Sequence, residues 1–202
     1  MNNDSTTTSG YELSFTTGGL LDREAAVLAP VFIEHGDWEK VRDVAVNENL
    51  LQARTRSTGV RRARETIKRL SALSDREIAN LAELSASERG QLMWAAACRR
   101  YDLIGEFAEE VLRDRFLALA GTISHEDYDS FYRAKALWHD ELGAVTTLTY
   151  KKLRQVLFRM MFEAGLLTAD GAIEPVLISA RAAELLTQRN PSDMRFFPSR
   201  MT

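Results

Sequence analysis

Along most of the chain apolar residues recur at three- and four-residue steps, the period of a helix packed on one side. The first departure comes early. Tyr11, Leu13 and Phe15 alternate before Gly18 and Gly19, which predicts a short extended segment docking on the body. Helical spacing follows in LLDREAAVLAPVFIEHG, with Pro30 placed to bend the helix and Gly36 to end it. Asp37 is positioned to cap DWEKVRDVAVNENLL, whose Trp38, Val41, Val44 and Ala45 form one stripe. After a break at QARTRS, a basic helix opens at Ser57 or Thr58 and turns Val60, Ala63, Ile67 and Leu70 towards the core. SDRE at 74–77 and SASE at 85–88 have the form of capping boxes, so two further helices start there. The run from Ser85 to about Gly121 is too long for one globular helix and predicts a break between Tyr101 and Gly105.

Another helix is predicted from Ser124 through HEDYDSFYRAKALWH, and Thr149 opens TYKKLRQVLFRMMFEAG, which Gly165 closes. The second departure is LLTADGAIEPVLIS. Its two apolar runs flank Asp170-Gly171, a pair suited to a tight turn, so one short β-hairpin is predicted near residues 166–178. A last helix, ARAAELLTQ, precedes a Pro-containing tail. The fold class is therefore mainly α, a two-lobed helical bundle. Residues 1–10 read as a disordered tail, 11–84 as an N-terminal helical lobe with the basic helix, 85–189 as a C-terminal helical lobe with the hairpin, and 190–202 as a tail. The N-terminal helix pair has the order of a helix-turn-helix, and helix–ribbon–helix near the C-terminus has the order of a winged helix, though neither carries a diagnostic residue signature.

Composition narrows the class. With 202 residues, 45% hydrophobic and 27% charged, the chain can bury its own core without staples. Cys98 is the single cysteine, which excludes an intramolecular disulfide and a cysteine zinc cage and fits a reducing cytosol. No apolar stretch approaches the roughly 18–20 residues of a membrane-spanning helix, and MNNDSTTTSG lacks the basic and apolar regions of a secretory signal. A cytoplasmic protein with no membrane partner is expected.

Charge changes the picture most. The formal net charge is −3, yet residues 54–69 hold Arg54, Arg56, Arg61, Arg62, Arg64, Lys68 and Arg69 against the single acid Glu65. Residues 75–130 hold twelve acids and six bases, so the molecule is expected to be electrically two-sided. On the basic helix, Arg61, Arg64 and Lys68 cluster on one flank of the face opposite the apolar stripe, and Arg62 and Arg69 continue it. A solvated helix face is the plain alternative, but such a face mixes signs at i, i+4, whereas this one stacks like charges. Contact with nucleic-acid phosphates answers that imbalance, as does docking of an acidic protein or of this chain's own acidic region.

A second basic cluster, Lys151, Lys152, Arg154 and Arg159, lies on a helix whose Leu153, Val156, Leu157 and Met160 face the core. Phe158 and Phe162 fall on its far side, so a packed central helix with snorkelling bases and a groove helix both fit. Candidate chemistry is sparse. His35, His125 and His139 lack metal-ligand spacing, and the acids of SHEDYDS fall in a first helical turn, where they complement the macrodipole. No P-loop or nucleophile elbow occurs. A non-enzymatic protein without cofactor or metal is expected.

YELSFTTGGLL, RRARETIKRL, and LFRMMFEAGLL with a hairpin after it resemble, in that order, the BrxA family of BREX bacteriophage-exclusion systems, over roughly residues 11–188. The resemblance implies a helical fold similar to the transcription antitermination factor NusB. It also implies a bacterial cytoplasmic defence role beside other BREX components, and DNA binding rather than enzymatic activity. It carries no fixed site residues. The expected site therefore rests on charge alone: Arg54, Arg56, Arg61, Arg62, Arg64, Lys68, Arg69, Lys151, Lys152, Arg154 and Arg159, holding double-stranded DNA largely through its backbone. A protein adaptor within the defence assembly and an RNA-binding protein of NusB type are the alternatives.

Overall fold

A computed structural model describes residues 10–200; the stretch 1–9, expected to be a disordered tail, lies outside the described residues. The chain enters as an extended strap, residues 10–20, laid across the helices. Tyr11 and Phe15 turn inward as their alternation predicts, and the Phe15 ring packs on Tyr101 with centroids 5.1 Å apart. Carboxylates satisfy two of the strap's amides: Tyr11 N–H donates to Glu141 Oε1 at 2.7 Å and Leu20 N–H to Glu163 Oε2 at 2.5 Å. The second contact requires Gly19, because a Cβ there would stand 2.1 Å from Glu163 Oε2.

Four helices follow: α1 (Asp22–His35), α2 (Trp38–Asn47), α3 (Arg56–Leu70) and α4 (Asp75–Asn80). Asp37 caps α2 by accepting Glu39 N–H at 2.8 Å. The cap of α3 is Thr55, which accepts Thr58 N–H at 3.2 Å, so the basic helix begins before Ser57 and Arg56 belongs to its first turn. Both predicted capping boxes form, Ser74 with Glu77 at α4 and Ser85 with Glu88 at α5 (Ala86–Arg100).

The α5 helix is the axis of the bundle. Every residue from Gly90 to Cys98 is buried, and Trp94 Nε1–H donates to the Phe196 carbonyl at 2.9 Å. The chain breaks at Tyr101, whose backbone is extended, then continues as α6 (Asp102–Phe107), a π-helical turn (Ala108–Arg113) and α7 (Asp114–Leu117). Then come α8 (His125–Ala136), α9 (Asp140–Gly143), α10 (Thr147–Glu163), α11 (Ala180–Leu186) and a 3-10 turn (Asp193–Phe196).

The mainly helical class holds, but the predicted hairpin shrinks to two isolated antiparallel bridges, Leu167 with Ile173 and Ala172 with Thr122. The cause is legible locally. Glu174 N–H donates to the Leu166 carbonyl at 2.9 Å, and Pro175 then has no N–H with which to extend the pairing. On the other side Ile123 and Gly121 share the ribbon's groups, and Gly171 (φ 84°) lies so close that a Cβ would meet the Ile123 carbonyl at 2.6 Å. No winged-helix ribbon is built among the described residues. The Pro-containing stretch after α11 also packs instead of trailing, since Met194, Phe196 and Phe197 are core residues. One hydrophobic cluster runs from Tyr11 to Phe197 and draws on both the 11–84 and the 85–189 stretches.

Candidate nucleic-acid interface

The buried side of α3 is rotated from its predicted stripe. Gly59, Ala63, Thr66 and Leu70 are buried together with Glu65 and Arg69, while Val60 and Ile67 are half-buried. Glu65 explains the rotation. Its carboxylate accepts Tyr101 Oη–H with both oxygens at 2.9 Å and Arg69 Nε–H at 3.0 Å. Arg69 Nη1 donates in turn to the carbonyls of Gly19 at 2.6 Å and Leu20 at 3.0 Å. Arg69, expected on the cationic face, has a fully buried side chain (0% exposed) and anchors the strap instead. A guanidinium survives there because a carboxylate and two carbonyls replace its water. Beside it, burial and the Glu65 charge push the Tyr101 phenol well above its ordinary range.

Two further cations of the run have partners. Arg62 lies on the half-buried flank with Nη1 3.6 Å from Glu24 Oε1. Lys68 Nζ donates to Glu12 Oε1 at 2.6 Å and to Ser14 Oγ at 3.0 Å, and Arg100 holds the other oxygen of Glu12. The Lys68 hydrogen bond, with help from Ser14 and Arg100 against a burial cost, pulls the Glu12 carboxyl down to about 2. Arg54, Arg56, Arg61 and Arg64 remain exposed and meet no carboxylate among the described residues; Arg56 reaches only the Asn47 side-chain oxygen, at 3.2 Å. At about 100 degrees per residue, Arg61, Arg64 and Lys68 share an arc of about 60 degrees. The amide-rich end of α3 adds its partial positive charge beside Arg54 and Arg56.

The α10 cluster divides in the same way. Leu153, Val156, Leu157 and Met160 are buried as predicted, and Phe158 packs against Phe107 and His125. Lys151 and Lys152 are exposed, Lys152 donating to Gln155 Oε1 at 3.1 Å. Arg154 donates to Asp129 Oδ1 at 2.7 Å, and Arg159 Nε to Glu163 Oε1 at 2.7 Å. Asp129 pays a burial cost, yet the hydrogen bonds from Tyr150 and Arg154 hold its carboxyl below the usual range.

The partnered ends of the two clusters meet at a cleft of about 1090 Å³ bounded by the strap, α1, the start of α5 and the end of α10. Arg62 and Arg159 line it with Arg23 and Arg89. Those last two are absent from the sequence-based site. Each sits singly beside acids, in LLDRE and SERG, so no charge run marks them. The three histidines are not gathered, and no group of three metal-ligating side chains occurs among the described residues. No helix there is long and apolar enough to cross a membrane.

A sequence model of the BrxA family matches residues 9–190. The chain belongs to the BrxA family. A BREX protein BrxA from Escherichia coli O9:H4 (strain HS) is 26% identical over 148 residues, covering 73% of this chain and 70% of that one. The BrxA of Bacillus cereus (strain H3081.97) is 26% identical over 128 residues, and the match spans 64% of its length. The BrxA of Paramagnetospirillum magneticum (strain ATCC 700264 / AMB-1) is 23% identical over 189 residues, 89% of this chain and 92% of its own. A crystal structure of an uncharacterized protein from Magnetospirillum magneticum superposes with a TM-score of 0.80 at 22% identity, over 94% of this chain and 99% of that one, which establishes the shared helical fold. Membership of the BrxA family makes the chain a BREX phage-defence component.

Proposed function

We propose that this BrxA family member is a non-catalytic cytoplasmic component of phage defence that holds duplex DNA by its phosphate backbone, with the outward face of α3 as the principal contact. One observation carries the reading: Arg54, Arg56, Arg61 and Arg64 stand exposed on and beside one helix with no carboxylate among the described residues to neutralise them. Like charges so placed repel one another in the free protein, and a polyanion removes that cost. Lys151 and Lys152 are a second, smaller contact. Arg69 leaves the proposed interface because it is buried, and Arg62, Arg154 and Arg159 leave it because carboxylates face them. Backbone contacts position a protein without reading sequence, so unrelated duplexes bind alike.

Fluorescence anisotropy with two unrelated duplexes across a salt series tests this. About four neutralised phosphates predict a slope of log affinity against log salt near −3.6. A flat slope, or no binding at low salt, overturns the reading. Structured RNA competes weakly on this account; displacement of the duplex by RNA at equal concentration would favour the RNA alternative.

A role as a protein adaptor among BREX components is the second reading. Leu137, Trp138 and Leu148 are 78%, 84% and 81% exposed around the α8–α10 connection, an apolar surface that phosphate binding does not use. If α3 itself docks an acidic protein, duplex binding is absent at moderate salt.

A further inference from the structure

We propose that the cleft framed by Arg23, Arg62, Arg89 and Arg159 is a binding site for the phosphate groups of a nucleotide, distinct from the outward face of α3. At about 1090 Å³ it has the size of a small-molecule site. Four guanidiniums line it against three carboxylates, Asp22, Glu24 and Glu163. Of the four arginines only Arg159 is hydrogen-bonded to one of those acids, Glu163, at 2.7 Å. Glu163 is already engaged by the Leu20 amide and by Arg159. Asp22 stands 3.8 Å from Arg89 Nε and Glu24 3.6 Å from Arg62 Nη1, both beyond hydrogen-bond reach. Arg23 is exposed and meets no carboxylate among the described residues.

The Arg89 Nε–H is the telling group. It is buried and has no hydrogen-bond acceptor among the described residues, while Arg89 Nη1 is pinned to the Leu84 carbonyl at 3.3 Å. A buried donor on a permanent cation costs free energy unless an acceptor reaches it, and a phosphate oxygen entering the cleft is such an acceptor. Two helix ends add to the pull. Leu21, at the N-cap of the 14-residue α1, offers its first-turn amides no side-chain acceptor, and Ala86 and Ser87 bring the first amides of the 15-residue α5 to the lip. Val27, Leu50 and Leu51 line the same cleft and give it apolar surface that a base can lie on. Fork-shaped guanidiniums with such a surface fit a phosphate joined to a flat heterocycle better than a bare anion.

The phosphate can come from a free nucleotide or from a strand's 5′ end, and the test separates them. Calorimetry of the full chain with ATP, AMP and adenosine is run beside anisotropy of a short single strand with and without a 5′-phosphate. ATP is expected to bind more tightly than AMP, and adenosine not at all. A strand bound only when 5′-phosphorylated, and displacing ATP, assigns the strand end as the source; ATP binding without that preference assigns the free nucleotide. Arg89→Gln weakens either by about tenfold or more. Ser87→Glu does the same, and because an acid in the first turn of α5 favours the helix, its melting temperature stays at or above that of the parent. Absence of binding by both ATP and the 5′-phosphorylated strand overturns the proposal, as does binding that neither substitution weakens. Neither Arg89 nor Ser87 lies on α3, so duplex affinity in these variants is retained whether or not the cleft binds phosphate.

Discussion

Arg64 and Arg69 stand five residues apart on one helix, in one run of positive charge, and have opposite fates. Arg64 is exposed and meets no carboxylate among the described residues; Arg69 is buried against Glu65 and two strap carbonyls. What separates them is not their own chemistry but what the rest of the chain brings to each flank. Carboxylates from residues 12, 24 and 65 neutralise Lys68, Arg62 and Arg69, and among the described residues none approaches Arg61 or Arg64. An arginine that closes such a network belongs to stability, and one left outside it is available for a ligand.

The comparison breaks hardest at its inward extreme. Arg99 lies between Glu77, at 2.6 and 2.9 Å, and Asp193, and ties α4 and the C-terminal turn to α5. All three side chains are at least 96% buried, so Arg99→Met leaves two buried carboxylates unpaired and costs about 3–5 kcal/mol in urea unfolding. Arg69→Met is expected to cost about 3 kcal/mol, and adding Glu65→Gln restores part of the loss by removing the orphaned charge. Neither change is expected to alter the salt slope of duplex binding by the folded protein.

That division was only partly legible in the sequence. Local rules placed the helices well: Ser74 with Glu77 and Ser85 with Glu88 announce their helix starts within four residues, and Tyr101 marks the break. The ribbon failed because its outcome depends on Gly121 and Ile123, some fifty residues away, and on a Pro175 that stops it. The fate of Arg69 needed Tyr101 and the strap, both distant in sequence. One local sign did exist. Glu65, the lone acid of the run, stands four residues before Arg69, the spacing of a helical ion pair. Arg23 and Arg89 join the cleft only through the packing of α1 on α5, and nothing in their neighbourhoods signals it.

Acid sharpens the comparison more gently. The carboxyls of Glu77 and Glu12 are both held below their ordinary value, Glu77 by Arg99 and Ser74 against a burial cost and Glu12, to about 2, chiefly by Lys68. Groups depressed in the folded state stabilise it fully above the ordinary carboxylate range near 4.5, and that contribution is lost as pH falls towards the folded value. Melting temperature is therefore expected to be level between pH 6 and 7 and to decline below about pH 4.5, with Glu12→Gln flattening part of the fall. The smallest expected effect is on binding. Glu12→Gln releases Lys68 and Arg100 from their shared carboxylate and raises duplex affinity by about twofold to fivefold at low salt.

The most direct measurement is the salt dependence of duplex binding by Arg61→Glu/Arg64→Glu, taken with its thermal melt. Both side chains are exposed and bond to nothing else among the described residues, so the melt should stay within about 2 °C of the parent while affinity falls at least tenfold and the slope shrinks by about two. Unchanged affinity and slope in a normally melting protein would contradict the claim that the outward arginines of α3 hold DNA.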